Sequence, residues 1–269
     1  MRDALAYELV RIRTIRSTWW LTGTAIVIGL AITTLMSWAI GHDFGQHGTS
    51  ADDLRGLGPI VVTQLAATGQ LPSLVAFLMA MVGIFAWGHE YRHGMIRASL
   101  TALDSRTAFW IAKYAVCVAW AVAVSLVTML LAGLIATAFL HDYVTIFSGQ
   151  TWGVIGRQLV YVVILTCLGM AFTSLTRSQA FALVTLFLWP LLIESIISLI
   201  FHLVPGLRDH SEVTRFLPFG AGRRLVDVLD HGHSTFGDPL SALGGGIIFG
   251  LVAVVLMAAS YLLFQRRDA

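Results

Sequence analysis

The chain has 269 residues, of which 57% are hydrophobic and only 12% are charged, and its mean hydropathy is +0.79. Ordinary soluble domains are about 45–50% apolar and about 25% charged, so this composition excludes a typical cytosolic enzyme, a disordered protein and a disulfide-linked secreted domain. The net charge of +2 is too small for a nucleic-acid-binding protein. We therefore predict an all-α integral membrane protein.

Residues 1–17 form the first predicted element, a short basic helix ahead of the first span. Leu5, Leu9 and Ile12 share one helical face, and arginines surround it. A helix of this kind lies in the membrane interface, with its arginines near anionic headgroups. The alternative is a basic flank that only fixes orientation. The apolar run that follows is too long for a cleaved signal peptide and has no small-residue cleavage site.

Six apolar segments are long enough to cross a bilayer core, which needs roughly 20 residues of helix. We predict a single transmembrane domain over residues 1–269 with spans at 19–40, 71–88, 110–140, 159–175, 180–203 and 243–264. The second span can begin as early as Pro59, and the third is long enough to tilt or to project into water. Six spans put both termini on one side, where most arginines also fall, so the termini are expected to be cytoplasmic.

The predicted outer loop, residues 204–242, contains a segment that is expected to re-enter the membrane. Leu217, Pro218 and Phe219 precede a half-apolar stretch in which Leu225 and Val226 recur at helical spacing. A helix here can dip into the bilayer from outside, provided that protein or water covers its irregular backbone.

Glu194 and Pro190 are the unusual residues of the fifth span. An ionisable group at such depth costs about 2.5–3.5 kcal/mol on insertion scales, so we expect Glu194 to face protein or water. Pro190 is expected to free a backbone carbonyl and to kink the helix beside it. The alternative for Glu194 is a hydrated position near the outer interface.

The strongest pattern lies in residues 89–109, which leave the second span and are predicted to be a cytoplasmic loop. From Glu90 to Leu100 the sequence is E-Y-R-H-G-M-I-R-A-S-L. It resembles the E-[Y/F]-R-x-G-x-[I/L]-R-x-x-L signature of ABC-2 type transporter permeases, in their small six-span bacterial form. The matching positions are Glu90, Tyr91, Arg92, Gly94, Ile96, Arg97 and Leu100. The span count, the N-terminal helix and the outer segment agree with that family.

The resemblance implies that this loop is a coupling helix that docks on a separate ATP-binding subunit, present in two copies. Met95 and Ile96 would be its apolar anchors, with arginines supplying orientation. Glu90 and Arg92 would tether the loop to the helix ends.

The resemblance also implies an exporter in the bacterial inner membrane, in contact with lipids and paired with a second permease copy or a homologous permease. The second and fifth spans would line the dimer interface, and Glu194 and Pro190 would lie beside the substrate pathway.

We expect this chain to be a transport subunit without enzyme activity of its own. Lys113 is the only lysine and does not follow a glycine-rich turn, which excludes a Walker A phosphate site. ATP and Mg are therefore expected on the partner subunit, and no metal, cofactor or nucleic acid is expected on this chain.

Two other functions remain open at this stage. His89, Glu90 and His93 satisfy the H-E-x-x-H pattern of zinc proteases, in which two histidines bind the metal and the glutamate acts as base. That site needs a third ligand, and Gly94 tends to end the helix directly after it. The third possibility is a membrane anchor or sensor without transport activity.

Overall fold

The computed structural model describes residues 1–47, 56–64, 73–96, 105–208, 210–227 and 240–267. In these ranges every regular element is a helix. Six of the described helices are long and apolar enough to cross a membrane. The structure therefore confirms the prediction of an all-α protein with six spans.

The described elements follow one another along the chain as helices. They are α1 (Arg2–Thr14), α2 (Arg16–His47), α3 (Leu57–Thr63), α4 (Leu74–Arg92), α5 (Arg106–Leu140), α6 (Gly149–Thr176), α7 (Gln179–Leu188), a π-helical segment (Trp189–Ile193), α8 (Glu194–Leu203), α9 (Pro205–Arg208), a 3-10 segment (Ser211–Phe216), α10 (Pro218–Val226) and α11 (Ala242–Arg267). The spans are α2, α4, α5, α6, the continuous run from α7 to α8, and α11.

Serine residues begin several of these helices. The hydroxyl oxygens of Ser73, Ser105, Ser148 and Ser178 each accept a hydrogen bond from the backbone N–H three residues later, which satisfies one of the unpaired amides of a first turn. The cap at Ser148 explains why the fourth span begins at Gly149 rather than at the predicted residue 159. Polar residues in its first turns do not stop a helix that has a good cap.

The second span does not extend back to Pro59. Pro59 lies in the separate helix α3, which ends where Gln64 takes a left-handed conformation with φ of 56°. Most of α3 is buried, and it packs against α5 and α6. The uncharged stretch before the second span therefore contributes a separate short helix, α3, which fills the space between α5 and α6.

The centre of the bundle is formed by α4 and α6, which pack against each other. In the most hydrophobic 18-residue stretch of each span, 67% of the residues are buried inside the protein for α4 and 61% for α6. The corresponding value is 22% for the first, fifth and last spans. The second span is thus enclosed, and the first, fifth and last spans carry the surface that faces outward.

Both α1 and the end of α11 lie at one end of the bundle, called here the terminal end. There Arg106, at the start of α5, donates a hydrogen bond to the carbonyl of Gln265, and Lys113 contacts Glu8. The 35 residues of α5 make a helix of about 52 Å at ~1.5 Å per residue, longer than a bilayer core of ~30 Å. Its excess length supports the packing of α1.

At the opposite end, α10 packs against α11 and α6. The helices α10 and α11 approach closely at glycines: a Cβ on Gly245 would collide with the carbonyl oxygen of Ala221, and one on Gly222 would lie 2.8 Å from the ring of Phe249. The predicted outer segment is therefore a helix held by direct backbone contact with the last span.

We expect Gly245→Ala to push α10 away from α11 and to destabilise the protein by about 1–3 kcal/mol, as overpacking does. Gly250→Ala on the same helix is the control, because its new Cβ would meet Ile164 at an ordinary 3.8 Å. Thermal unfolding in detergent should show a lower midpoint for the first variant only. Equal midpoints for both would contradict the close approach.

Candidate functional site

The candidate site lies at the terminal end, where α4 leaves the bundle. Of the motif residues, Glu90 and Ile96 are buried and Tyr91 is half-buried. Arg92 and Gly94 are exposed, and so is Met95, with 47% of its surface accessible. The remaining two, Arg97 and Leu100, lie outside the described residues.

Gly94 ends α4 and sets the direction of the chain after it. Its φ is 64°, a left-handed conformation that glycine adopts without strain. The N–H of Gly94 donates to the carbonyl of Tyr91 at 3.4 Å, and the N–H of Met95 donates to that of Glu90 at 3.0 Å. This pair of bonds is a Schellman motif. It buries Ile96 and leaves Met95 exposed, so only one of the two predicted anchors is accessible.

Glu90 belongs to a charge quartet formed with Glu8, Arg11 and Lys113. Lys113 Nζ lies 2.6 Å from Glu8 Oε1 and 2.9 Å from Glu90 Oε1. Arg11 Nη1 lies 2.7 Å from the same Glu90 oxygen and 3.1 Å from Glu8 Oε2. Arg11 also donates to the carbonyl of Ala86. The quartet therefore joins α1, α4 and α5.

The quartet is packed against aromatic rings and is almost fully buried. Lys113 is fully buried, and Glu90 and Glu8 are 1% and 3% exposed. Lys113 Nζ lies 4.5 Å from the ring centroid of Phe109 and 5.2 Å from that of Trp87, at distances where cation–π attraction operates. Two carboxylates and two cations balance formally, as groups taken out of water must.

The local sequence explains how α1 reaches this position. Ile15 is extended, with φ of −77° and ψ of 118°, so the chain turns between α1 and α2. The buried residues of α1 are Ala4, Glu8 and Ile12, whereas Leu9 of the predicted apolar face is 44% exposed. The helix thus buries Glu8 between the apolar residues Ala4 and Ile12, where Lys113 of α5 balances its charge.

Tyr91 and Gly88 connect the same turn of α4 to the start of the fifth span. The Arg177 guanidinium lies 5.7 Å from the ring centroid of Tyr91, and Tyr91 stacks on Trp87. A Cβ on Gly88 would lie 2.8 Å from Gln179. The motif is therefore packed against the turn between α6 and α7 as well as against α1 and α5.

His89 and His93 share one side of α4, with ring centroids 6.1 Å apart. His93 Nδ1 lies 2.9 Å from the carbonyl oxygen of His89. Across the described parts of the chain no group of three His, Cys, Asp or Glu side chains is suited to a metal ion. Glu90, the base that a zinc protease would require, has one oxygen bound by both Lys113 and Arg11.

Glu194 lies at the far end of the fifth span and faces protein. Its two carboxylate oxygens accept hydrogen bonds from the backbone N–H groups of Phe219 and Gly220, at 2.8 and 2.7 Å. Those amides begin α10, where a helix presents unpaired donors and partial positive charge. Glu194 thus caps α10, a contact that compensates its charge with two backbone donors. A role in a substrate pathway stays a prediction.

The remaining predicted residues surround this cap. Pro190 is buried in the π-helical segment just before Glu194, the kind of local irregularity expected where proline removes a backbone donor. Leu217 is extended and Pro218 occupies the first turn of α10, a position where proline loses no hydrogen bond. Phe219 is buried against Phe249.

Sequence reasoning missed the contributions of Glu8, Arg11 and Lys113 to this site. A usable signal was present: Lys113 is the only lysine in an arginine-rich chain. Glu8 also lies three residues before Arg11 in the same helix, a spacing that places both on one face.

No family model matches this chain, and no curated protein matches it.

We expect Lys113→Met to destabilise the protein by about 3–5 kcal/mol, because it leaves an uncompensated buried carboxylate. Adding Glu8→Gln to that variant restores formal balance between Glu90 and Arg11, so the double variant should recover part of the loss. Thermal unfolding in detergent measures both. A double variant less stable than the single one would contradict the role of charge balance.

We expect Glu194→Gln to loosen the start of α10, because an amide presents only one acceptor oxygen to two backbone donors. Hydrogen exchange of the Phe219 and Gly220 amides should accelerate about tenfold or more, as loss of a bond to a charged group predicts. Glu212→Gln, at a carboxylate 69% exposed on the neighbouring segment, is the control. Unchanged exchange in Glu194→Gln would show that the cap does not hold α10.

Proposed function

We propose that this chain is the membrane-spanning permease subunit of an ATP-driven exporter of the ABC-2 type, and that it draws energy from separate ATP-binding subunits. The observation that carries the proposal is the position of Glu90 in the buried charge quartet. Glu90, the first residue of the loop motif, is held by ion pairs to α1 and α5, and the exposed Met95 follows it by five residues. A loop that transmits force from a partner must be attached rigidly to the spans.

The nature of the exposed residues supports docking at this loop. Met95 presents an apolar side chain at the tip of the turn, and Arg92 beside it is exposed. An apolar anchor with a charged rim is the arrangement that buries well in a partner's groove. Met95 is therefore the proposed anchor, and Ile96 supports the turn from inside the fold.

Nucleotide binding is assigned to the partner because Lys113 is already engaged in buried ion pairs. It is the only lysine of these residues, and its Nζ is bound to Glu8 and Glu90 in a buried site. A Walker A lysine must instead reach nucleotide phosphates from a glycine-rich loop.

The proposed motion starts when the partner closes on ATP and displaces the loop. The displacement passes from α4 through Tyr91 and Gly88 to Arg177 and Gln179 at the start of the fifth span. At the far end of that span, Glu194 is bonded to α10. Movement of the fifth span then shifts the outer helix, and the pathway alternates between two populated states.

The proposed dimer uses the fifth span more than the second. The enclosed second span leaves a narrow half-exposed stripe, formed by Leu74, Leu78, Met81, Phe85 and His89. The fifth span has large exposed apolar residues along its length. A second copy of the chain, or a homologous permease, would cover that surface and leave the stripe of α4 beside the pathway.

The proposed orientation places the terminal end in the cytoplasm, at the inner membrane of a bacterium. Arginines 2, 13, 16 and 92 are exposed at that end, as the positive-inside rule expects. The zinc-protease alternative gains no support from the geometry, because Glu90 is held by two cations. An anchor or sensor without a partner ATPase is distinguished by the experiment below.

The test is purification of the chain from its native membrane in mild detergent, with co-purifying proteins identified by mass spectrometry and ATPase activity measured. We expect a P-loop ATPase in the eluate. Met95→Asp should reduce its recovery at least tenfold, because docking would bury an unpaired carboxylate. Val213→Asp is the control, since Val213 is 55% exposed at the opposite end.

Absence of any P-loop protein from the native eluate would contradict the proposal, and so would full recovery with Met95→Asp. Stoichiometric zinc in the eluate that is lost in His89→Ala would instead support the protease.

A further inference from the structure

A groove of about 690 Å³ lies at the terminal end between α1 and the last turn of α4. Ala6, Val10 and Ile15 give it an apolar wall on one side, and Met95 borders it on the other. Val10 is 63% exposed and Met95 is 47% exposed, so an apolar occupant that covers them is stabilised by their burial. The volume is in the range of sites that hold small organic ligands, about 300–1,000 Å³.

The charge that is accessible inside the groove is positive. Among the described residues Arg11 and Glu90 are the arginine and the carboxylate that line it. Glu90 is 1% exposed and therefore presents almost no surface to an occupant. Arg11 is 11% exposed. An occupant of the groove thus meets the guanidinium of Arg11 rather than a carboxylate.

The exposed charges around the groove are also mostly positive. The described part of the terminal end has six exposed arginines, which are Arg2, Arg13, Arg16, Arg92, Arg177 and Arg266. Asp3 is the one exposed carboxylate among the same residues. Of the arginines, Arg92 belongs to the last turn of α4 and lies close to His89, which lines the groove. The surroundings of the groove therefore attract a negatively charged headgroup.

The groove lies at the level of the lipid headgroups. Trp19 and Trp20 follow Ile15 by about one helical turn and are 53% and 77% exposed. Trp19 Nε1 donates to the carbonyl of Arg13 at 2.8 Å. Exposed tryptophans beside arginines mark the membrane–water interface. An occupant with an acyl tail can therefore reach the groove from the adjoining leaflet.

The apolar wall and the arginines together select one kind of occupant. A soluble anion would satisfy the arginines but would leave Val10 and Met95 uncovered. A zwitterionic lipid would cover these side chains, but its ammonium would be repelled by the surrounding arginines. A lipid whose head has a net negative charge satisfies both features.

We propose that this groove binds one anionic phospholipid per chain. Its phosphate lies beside Arg11 and Arg92, and its acyl tail lies along Ala6, Val10 and Ile15. The lipid contacts both α1 and the end of α4, so it stabilises the packing of the N-terminal helix against the loop motif. This proposal does not rest on the proposed function, because the groove and its arginines belong to this chain alone.

The test is native mass spectrometry of the delipidated, purified chain, titrated with phosphatidylglycerol or phosphatidylcholine of identical acyl chains. We expect one phosphatidylglycerol molecule to bind with a dissociation constant about 25-fold lower at low salt, with roughly fivefold from each of Arg11 and Arg92. The difference should shrink as ammonium acetate is added, because salt screens exposed charges. Equal binding of the two lipids at low salt would overturn the proposal, and so would competition by inorganic phosphate or glycerol phosphate, which have no tail.

Two neighbouring residues of α1 test whether the lipid occupies the groove. Val10 lines the groove, whereas Leu9 is 44% exposed and does not line it. Val10→Trp should fill the groove and abolish the preference for phosphatidylglycerol, and Leu9→Trp should keep it. Loss of the preference in both variants, or in neither, would place the lipid elsewhere and overturn the proposal.

Two exposed arginines of the same end test the headgroup contact. Arg92→Gln should lower the preference about fivefold, whereas Arg266→Gln, on α11 and outside the groove lining, should leave it unchanged. Both variants remove one positive charge, so they differ only in position. Equal effects of the two would show that the overall surface charge attracts the lipid, and would overturn a specific site.

Discussion

The burial of four charges at one end of the bundle is the constraint on which the rest of this structure depends. Removing Glu8, Glu90, Arg11 and Lys113 from water carries a large desolvation cost, which close pairing offsets only while all partners stay in place. The three helices that supply them are therefore obliged to stay together. The N-terminal helix α1, which its sequence predicts to lie in the membrane interface, is therefore packed into the folded core. Glu90, the first residue of the loop motif, is fixed by the same ion pairs.

The fifth span extends this arrangement to the opposite end of the molecule. It is the least enclosed of the spans together with the first and the last, yet both its ends are held. Near its start Gly88 leaves room for Gln179, and near its end Glu194 accepts two backbone bonds from α10. Between them lies the π-helical segment at Pro190, where the backbone deviates most easily. A peripheral helix anchored at both ends and irregular in the middle suits the transmission of movement that we propose.

Much of this fold was predictable, because the requirement for about 20 apolar residues per span is visible in any membrane sequence. The six spans were found that way, and the helix after Pro218 was indicated by the helical spacing of Leu225 and Val226. The division between α3 and α4 was not, since the whole stretch is uncharged. Glu8 pairs with a residue 105 positions away, and Glu194 with amides some 25 positions away. No local pattern contains such pairings, so the burial of Glu8 could not be inferred from the sequence of its own helix.

Amine labelling of Lys113 in membrane vesicles tests the central claim most directly, because this residue is the chain's only lysine. A membrane-permeant amine reagent, followed by peptide mass spectrometry, compares Lys113 with the N-terminal amine of the same chain. If the charge quartet exists in the membrane, Lys113 stays unmodified while the N-terminus reacts, and Lys113 becomes reactive when Glu8 and Glu90 are both changed to glutamine. Labelling of Lys113 in the unaltered chain at a rate close to that of the N-terminus would contradict the account.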